Sequence, residues 1–326
     1  MSDGVTGAAA TSASSCVLVT GVNGQLGHAL RASVDAWKPL DAKVVFVGRD
    51  EMDLGNASSM RRVLDELSPT LIINAAAYTA VDRAEKDVEA ATAVNATAPG
   101  IMAEYLAAKR GALIHVSTDY VFDGSATEPY REDATTNPLS VYGSTKLAGE
   151  NAIRASGVAH WILRTSWVFS ASGANFLKTM LRFAESKDAI SIVADQRGAP
   201  TDAKRLSTFI DQMLHASKDA PTLAAMVARV TATQGTYHAT AAGATTWFDY
   251  ARHVIAGARA RKPDGPWTLA PEGVTQTTSA AYVTPARRPL YSLLDHERFT
   301  KTFGVVPPPW QQDVDACLDE LLGVAR

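Results

Sequence analysis

The stretch Cys16-Val17-Leu18-Val19-Thr20-Gly21-Val22-Asn23-Gly24-Gln25-Leu26-Gly27 decides the fold. Its first five residues are a short apolar run with β-branched side chains, the pattern of a strand covered on both faces. The run leads straight into glycines that let the chain turn sharply and open a helix. A helix entered this way presents unpaired N–H groups and the positive end of its dipole, which suits a pyrophosphate. The spacing is G-x-x-G-x-x-G, one residue longer at the front than the common dinucleotide fingerprint. Gly21, Asn23, Gly24, Gln25, Leu26 and Gly27 are therefore candidate cofactor-binding residues. A glycine turn alone is common between strands and helices; its place after the first strand gives it weight.

Outward from this turn the alternation repeats. Strand patterns at 44–47, 71–73, 113–116 and 160–163 alternate with helical patterns at 60–67, 88–109 and 144–153. This predicts an α/β fold, a Rossmann-type doubly wound parallel sheet covered by helices on both faces. Beyond about residue 170 the rhythm weakens and prolines and glycines become frequent, from Gly198 and Pro200 to Pro307, Pro308 and Pro309. That half reads as a smaller α/β substrate lobe interleaved with the first. The expected division is a disordered tail over 1–15, a cofactor-binding domain over 16–170 with returns near 201–215 and 236–256, and a substrate lobe mainly over 171–326.

Composition narrows the function. A formal charge of -3 argues against broad attraction to nucleic acid or acidic membranes. No apolar stretch is long enough to span a bilayer, and the tail lacks the basic and apolar regions of a secretory signal. Cys16 and Cys317 have no paired spacing, which argues against a disulfide framework or zinc and fits a reducing cytoplasm. The seven histidines, His115 and His253 among them, show no ligand spacing and read as core or surface residues.

Two further features carry chemistry. The second strand ends in Gly48-Arg49, where NAD-binding folds usually place an acid for the ribose 2′-hydroxyl. A guanidinium there can pair with a 2′-phosphate, which favours NADPH and leaves NADH possible. Asp53 and Leu54 are candidate adenine contacts, although Asp53 could equally cap the next helix. Tyr142 and Lys146 stand at i and i+4 on one helix face. A phenol ordinarily titrates near ~10, and an ammonium one turn away is expected to lower that value. Thr118 follows the strand at 113–116, at the carboxyl end of the sheet, where its hydroxyl can meet the same carbonyl oxygen that Tyr142 protonates.

The segments 24–27 (GQLG), 74–82 (NAAAYTAVD), 117–124 (STDYVFDG), 142–150 (YGSTKLAGE), 164–168 (RTSWV) and 196–201 (QRGAPT) resemble the dTDP-4-dehydrorhamnose reductases of the extended short-chain dehydrogenase/reductase family. The likeness runs from Cys16 through Trp247-Phe248-Asp249-Tyr250 to Arg288-Pro289. It implies NADPH-dependent reduction of the C4 keto group of a dTDP-sugar, with Thr118, Tyr142 and Lys146 as the catalytic set. It implies that Ala75, Ala76, Ala77 and Tyr78 lie against the cofactor. Asp119 and Trp167 would touch the sugar nucleotide, with Asn175 and Arg288 as further substrate contacts. Some members bind magnesium through a glutamate two residues after the glycine motif; here that position is Ala29, so no metal is expected. A monomer and a homodimer both stay open.

Two other classes share the fold. Nucleotide-sugar dehydratases and their epimerase relatives resemble this chain, but the dehydratases carry Asp-Glu directly after the catalytic threonine, whereas Asp119 is followed by Tyr120. A non-catalytic regulatory subunit that binds a nicotinamide cofactor also resembles this family, and the intact Thr118, Tyr142 and Lys146 weigh against it.

Overall fold

A computed structural model describes residues 16–34, 42–215 and 222–324; the 1–15 tail lies outside the described residues. Six parallel strands form the central sheet: β1 (Cys16–Thr20), β2 (Lys43–Val47), β3 (Leu71–Asn74), β4 (Ala112–Thr118), β5 (Ala159–Thr165) and β6 (Gly235–His238). Their order is β6-β5-β4-β3-β1-β2. Alternate side chains of a strand leave opposite faces, so each apolar run feeds two cores. Val17, Val19, Ile73, Ile114 and Leu163 enter one, and Leu18, Ile72, Leu113 and Ile162 the other. The strand order reverses between β1 and β3, which opens a crevice beyond their carboxyl ends, where such sheets bind ligands.

Three helices set up that crevice. Helix α1 (Gln25–Ser33) starts at the glycine turn. The pattern over 88–109 becomes one continuous rod, α2, of Val88–Thr92, Ala93–Thr97 and Ala98–Ala108. Its middle segment is π-helical. Pro99 has no N–H to return to the Asn95 carbonyl four residues back, which loosens the rod at this point. The Asn95 side chain there brackets Tyr78, accepting from its N–H at 2.8 Å and donating to its carbonyl at 3.1 Å. Helix α3 (Val141–Ser156) begins earlier than its sequence pattern. Ser140 accepts from the Gly143 N–H, and Glu85 reaches across to accept from the Val141 N–H at 2.8 Å.

The second lobe packs the helices Phe176–Ser186, Trp247–Arg261 and Trp310–Leu322 around Phe169, Leu177, Tyr250 and Trp310. A parallel strand pair, Ile190–Val193 with Val274–Thr277, flanks them. The lobes interleave. Helix Ala203–Leu214 sends Leu206, Phe209 and Ile210 into the first lobe's core, and β6 joins the main sheet. Of the return expected near 236–256, only the strand lies in the first lobe, because Phe248, Tyr250 and Ala251 are apolar on the face turned to the second core. No described helix is long and apolar enough to cross a membrane.

Candidate active site

The glycine turn fixes the near wall. Gly21 has φ +75°, a conformation that favours glycine, and a Cβ there would meet the Ala76 nitrogen at 2.7 Å. A Cβ on Gly27 would lie 2.1 Å from the Gly21 carbonyl oxygen, so α1 can start this close to the turn only with glycine. Gly24 caps α1 without a side-chain hydrogen bond, which leaves the first-turn N–H groups free to receive an anion. A cavity of about 830 Å³ runs from Gly21, Asn23 and Gly24 past Arg49, Asp53 and Leu54. A second, of about 650 Å³, shares the glycine turn and continues past Ala75 to Thr118, Tyr142 and Lys146. The volumes and the anion-receiving turn between them fit an extended dinucleotide.

Arg49 stands at the outer end of the first cavity with its side chain 85% exposed, 3.7 Å from Asp53. Asp53 is not a helix cap: its Oδ1 accepts from the Gly55 N–H, and Asn56 caps the helix Ala57–Leu67 instead. Asn56 wins because its side chain sits directly ahead of the free N–H groups of Ser58 and Ser59. Gln25 serves both lobes: its side chain donates to the Val168 carbonyl and accepts from Ser170 and Asn175.

Thr118 ends β4, and its hydroxyl donates to Asp119 Oδ1 at 2.9 Å while accepting from the Tyr120 N–H at 3.1 Å. Asp119 is buried; burial raises its carboxyl pKa to about 6, and the Ser292 and Thr118 hydroxyls only partly offset this. Tyr142 and Lys146 line the same cavity from α3. The expected effect of Lys146 on Tyr142 needs correction. Burial pushes the Tyr142 phenol up to about 12, with the Thr118 hydroxyl pulling down and the Asp119 charge pushing up. Lys146 does not counter this because Nζ turns to the sheet, donating to the Val116 carbonyl at 2.7 Å and lying 3.1 Å from His115 Nε2. Burial lowers the lysine itself to about 8, against the nearby Glu150 charge.

The four substrate positions divide. Asp119 and Trp167 line the second cavity. Trp167 has φ +48°, a conformation that costs a non-glycine residue ~1–3 kcal/mol. Its ring stacks on Trp247 with centroids 3.7 Å apart. Asn175 and Arg288 are held by protein partners, and Arg288 also reaches Tyr120 at the wall of the second cavity. Asn175 caps Phe176–Ser186 through the Lys178 N–H and donates to Gln25. Arg288 pairs with Asp82 at 2.8 Å, tying the second lobe to the loop after β3. Both help to hold the two lobes together. Sequence reasoning did not single out Trp247, which lines the second cavity, or Asn74 and His115, which join Lys146 beneath it.

Residues 15–322 match the family described as the RmlD substrate binding domain. The chain belongs to that family. A dTDP-4-dehydrorhamnose reductase of Burkholderia thailandensis is 42% identical over 306 residues, covering 94% of this chain and 99% of the relative. A probable dTDP-4,6-dihydroxy-2-methyloxan-3-one 4-ketoreductase of Streptomyces antibioticus is 40% identical, covering 89% and 90%. The crystal structure of a Bacillus anthracis dTDP-4-dehydrorhamnose reductase in complex with NADP superposes with TM-score 0.80 at 30% identity, over 94% of this chain and 99% of that one. Membership makes the co-location of Thr118, Tyr142 and Lys146 in one cavity the feature to explain.

Proposed function

We propose that the protein reduces the C4 keto group of dTDP-4-dehydro-L-rhamnose to give dTDP-L-rhamnose, using NADPH in the cytoplasm as a monomer or homodimer. The observation that carries this reading is the single cavity in which Thr118, Tyr142 and Lys146 meet the glycine turn. The full-length relatives named for this activity support it. NADPH, when bound, supplies the hydride. The N–H groups after Gly24 hold the pyrophosphate, Arg49 meets the 2′-phosphate, and Ala75, Ala76 and Ala77 form the wall that excludes water.

Tyr142 holds a proton on its phenol oxygen throughout the neutral range, because its pKa is pushed up to about 12. It delivers that proton to the substrate oxygen as negative charge develops there. Thr118, steered by Asp119 and the Tyr120 N–H, positions the same oxygen. Asp119 and Trp167 hold the sugar nucleotide. The Tyr142→Phe variant should lose reduction by roughly two to four orders of magnitude with unchanged NADPH affinity. Near-normal turnover in that variant would remove Tyr142 from the chemistry. Wild-type turnover only with another 4-keto dTDP-sugar would move the substrate assignment toward that of the Streptomyces relative. No turnover with any such sugar would favour a regulatory role.

A further inference from the structure

Strand register sets Thr20 beside Asn74, and Asn74 beside His115. Their parity matches Leu18, Ile72 and Leu113, so all three point to the sheet face that carries the second core. All are buried, as is Lys146. They form one hydrogen-bonded chain. Thr20 Oγ1 donates to Asn74 Oδ1 at 2.7 Å, Asn74 Nδ2 lies 3.0 Å from His115 Nδ1, and His115 Nε2 lies 3.1 Å from Lys146 Nζ.

The direction of the chain is set at Asn74. The Ala76 backbone N–H donates to Asn74 Oδ1 at 3.2 Å, so the amide oxygen faces Ala76 and the NH₂ faces the ring. His115 Nδ1 therefore accepts and is bare. A neutral imidazole with a bare Nδ1 carries its proton on Nε2, aimed at Lys146. An ammonium has three donors and no lone pair, so it cannot accept that N–H; a neutral amine can.

We propose that His115 is a positioning residue that stores Lys146 as a neutral amine drawn back against the sheet, and that protonating Lys146 breaks the His115 contact and leaves the ammonium held by the Val116 carbonyl at the cavity wall. The proposal rests on the reading of Lys146 as part of the reducing site. Burial acts in the same sense: it lowers Lys146 to about 8 and His115 well below the ordinary histidine value, so the ring stays neutral when the lysine takes its proton. Glu150, one turn further along α3, favours the ammonium, but its carboxylate is held by Arg164, Arg154 and Ser117. Tyr142, one turn back, and Asp119, beyond β4, face the shared cavity. The ammonium is present below the lysine pKa and lost as pH rises through about 8, so the stored form dominates on the alkaline side.

The test uses NMR of the whole ligand-free protein, with ¹⁵N-labelled histidine and ¹³C-labelled lysine; the Lys146 signal is identified by its loss in Lys146→Arg. The His115 ring should show a bare Nδ1 and a protonated Nε2 at neutral pH, and the Lys146 ε-methylene should titrate near 8. In Asn74→Asp the new carboxylate accepts from Nδ1–H, the ring reverses, and a bare Nε2 accepts from the ammonium. The Lys146 midpoint should then rise by about one pH unit or more. His115→Gln, whose amide can turn its oxygen to an ammonium, should move it the same way. A wild-type ring protonated on Nδ1, a wild-type lysine titrating near its ordinary ~10.4, or a midpoint unmoved in both variants overturns the proposal. Loss of the reductase reading would appear as absent turnover with these titrations intact, so the two fail separately.

Discussion

Glu150 lies against Ser117, next to Thr118, with every carboxylate oxygen engaged. Arg164 grips it with Nε at 3.0 Å and Nη2 at 2.7 Å, Arg154 adds a bond at 2.7 Å, and the hydroxyl of Ser117 donates at 2.6 Å. Glu150→Ala would leave Arg164, whose side chain is 2% exposed, as an unpaired buried cation. Breaking such a pair costs ~3–5 kcal/mol. At ~2.1 cal/mol/K per residue, unfolding of a chain this long changes by roughly 0.7 kcal/mol per kelvin, so Tm should fall by about 4–7 °C. Thermal unfolding followed by circular dichroism at neutral pH reads this directly. Removing both charges, with Glu150→Leu and Arg164→Met, should recover at least about 2 kcal/mol relative to the sum of the singles, because no buried ion is then left alone. Burial raises the Glu150 pKa, but Arg164, Ser117 and Arg154 more than reverse this, and it ends below the ordinary value. The stabilisation is therefore complete above the usual glutamate range and lost as pH falls through the depressed value. A Tm drop under about 2 °C, or a double variant that is simply additive, would refute the reasoning by showing that water reaches this network.

Arg49→Ala should weaken NADPH by about tenfold and leave NADH nearly unchanged, because only NADPH carries a 2′-phosphate; fluorescence titration of both cofactors decides it, and equal losses would make Arg49 a bystander. If Asp119 holds the sugar as proposed, it accepts from sugar hydroxyls most strongly when ionised, so kcat/KM should fall as pH drops below about 6. Asp119→Asn should lower activity and flatten that acid limb; a limb that survives belongs to another group. Trp167→Ala should lower kcat/KM for the sugar nucleotide about tenfold or more while NADPH affinity stays within about twofold, since it removes a stacked indole from the second cavity. Thermal unfolding must be followed alongside, and a well-folded variant with unchanged kcat/KM would reduce Trp167 to packing.

Central strands were legible because each is a buried apolar run that feeds two cores, as Val17, Leu18 and Val19 show. The glycine turn was legible because Gly21 and Gly27 meet geometric demands that no other residue meets as well. Tyr142 and Lys146 were legible as a helical i, i+4 pair, but where the lysine points was not. That depends on His115 from another strand, brought into reach by register across β3 and β4. The family resemblance likewise implied Asn175 and Arg288 as substrate contacts, without showing that Gln25 and Asp82 are their partners in the fold. Long-range partners of this kind leave no local pattern; polar residues at the aligned positions Thr20, Asn74 and His115 of three neighbouring strands are the trace they leave in the sequence.

The same geometry bears on why this site reduces rather than eliminates. A dehydratase needs a second acid beside the threonine to move protons on adjacent carbons. Here that place is Tyr120, whose ring meets Tyr142 edge-on at 5.5 Å. Burial and then the Asp119 charge push its phenol well above the ordinary tyrosine value, so at neutral pH it keeps its proton and cannot be the base that takes one from carbon. Asp119, the remaining acid, already accepts from Thr118. With one phenol next to the threonine and no free carboxyl following Asp119, the groups lining this part of the cavity can deliver a proton to an oxygen. They offer no matched acid and base for abstracting one proton from carbon and returning another, which is the chemistry that separates elimination from carbonyl reduction.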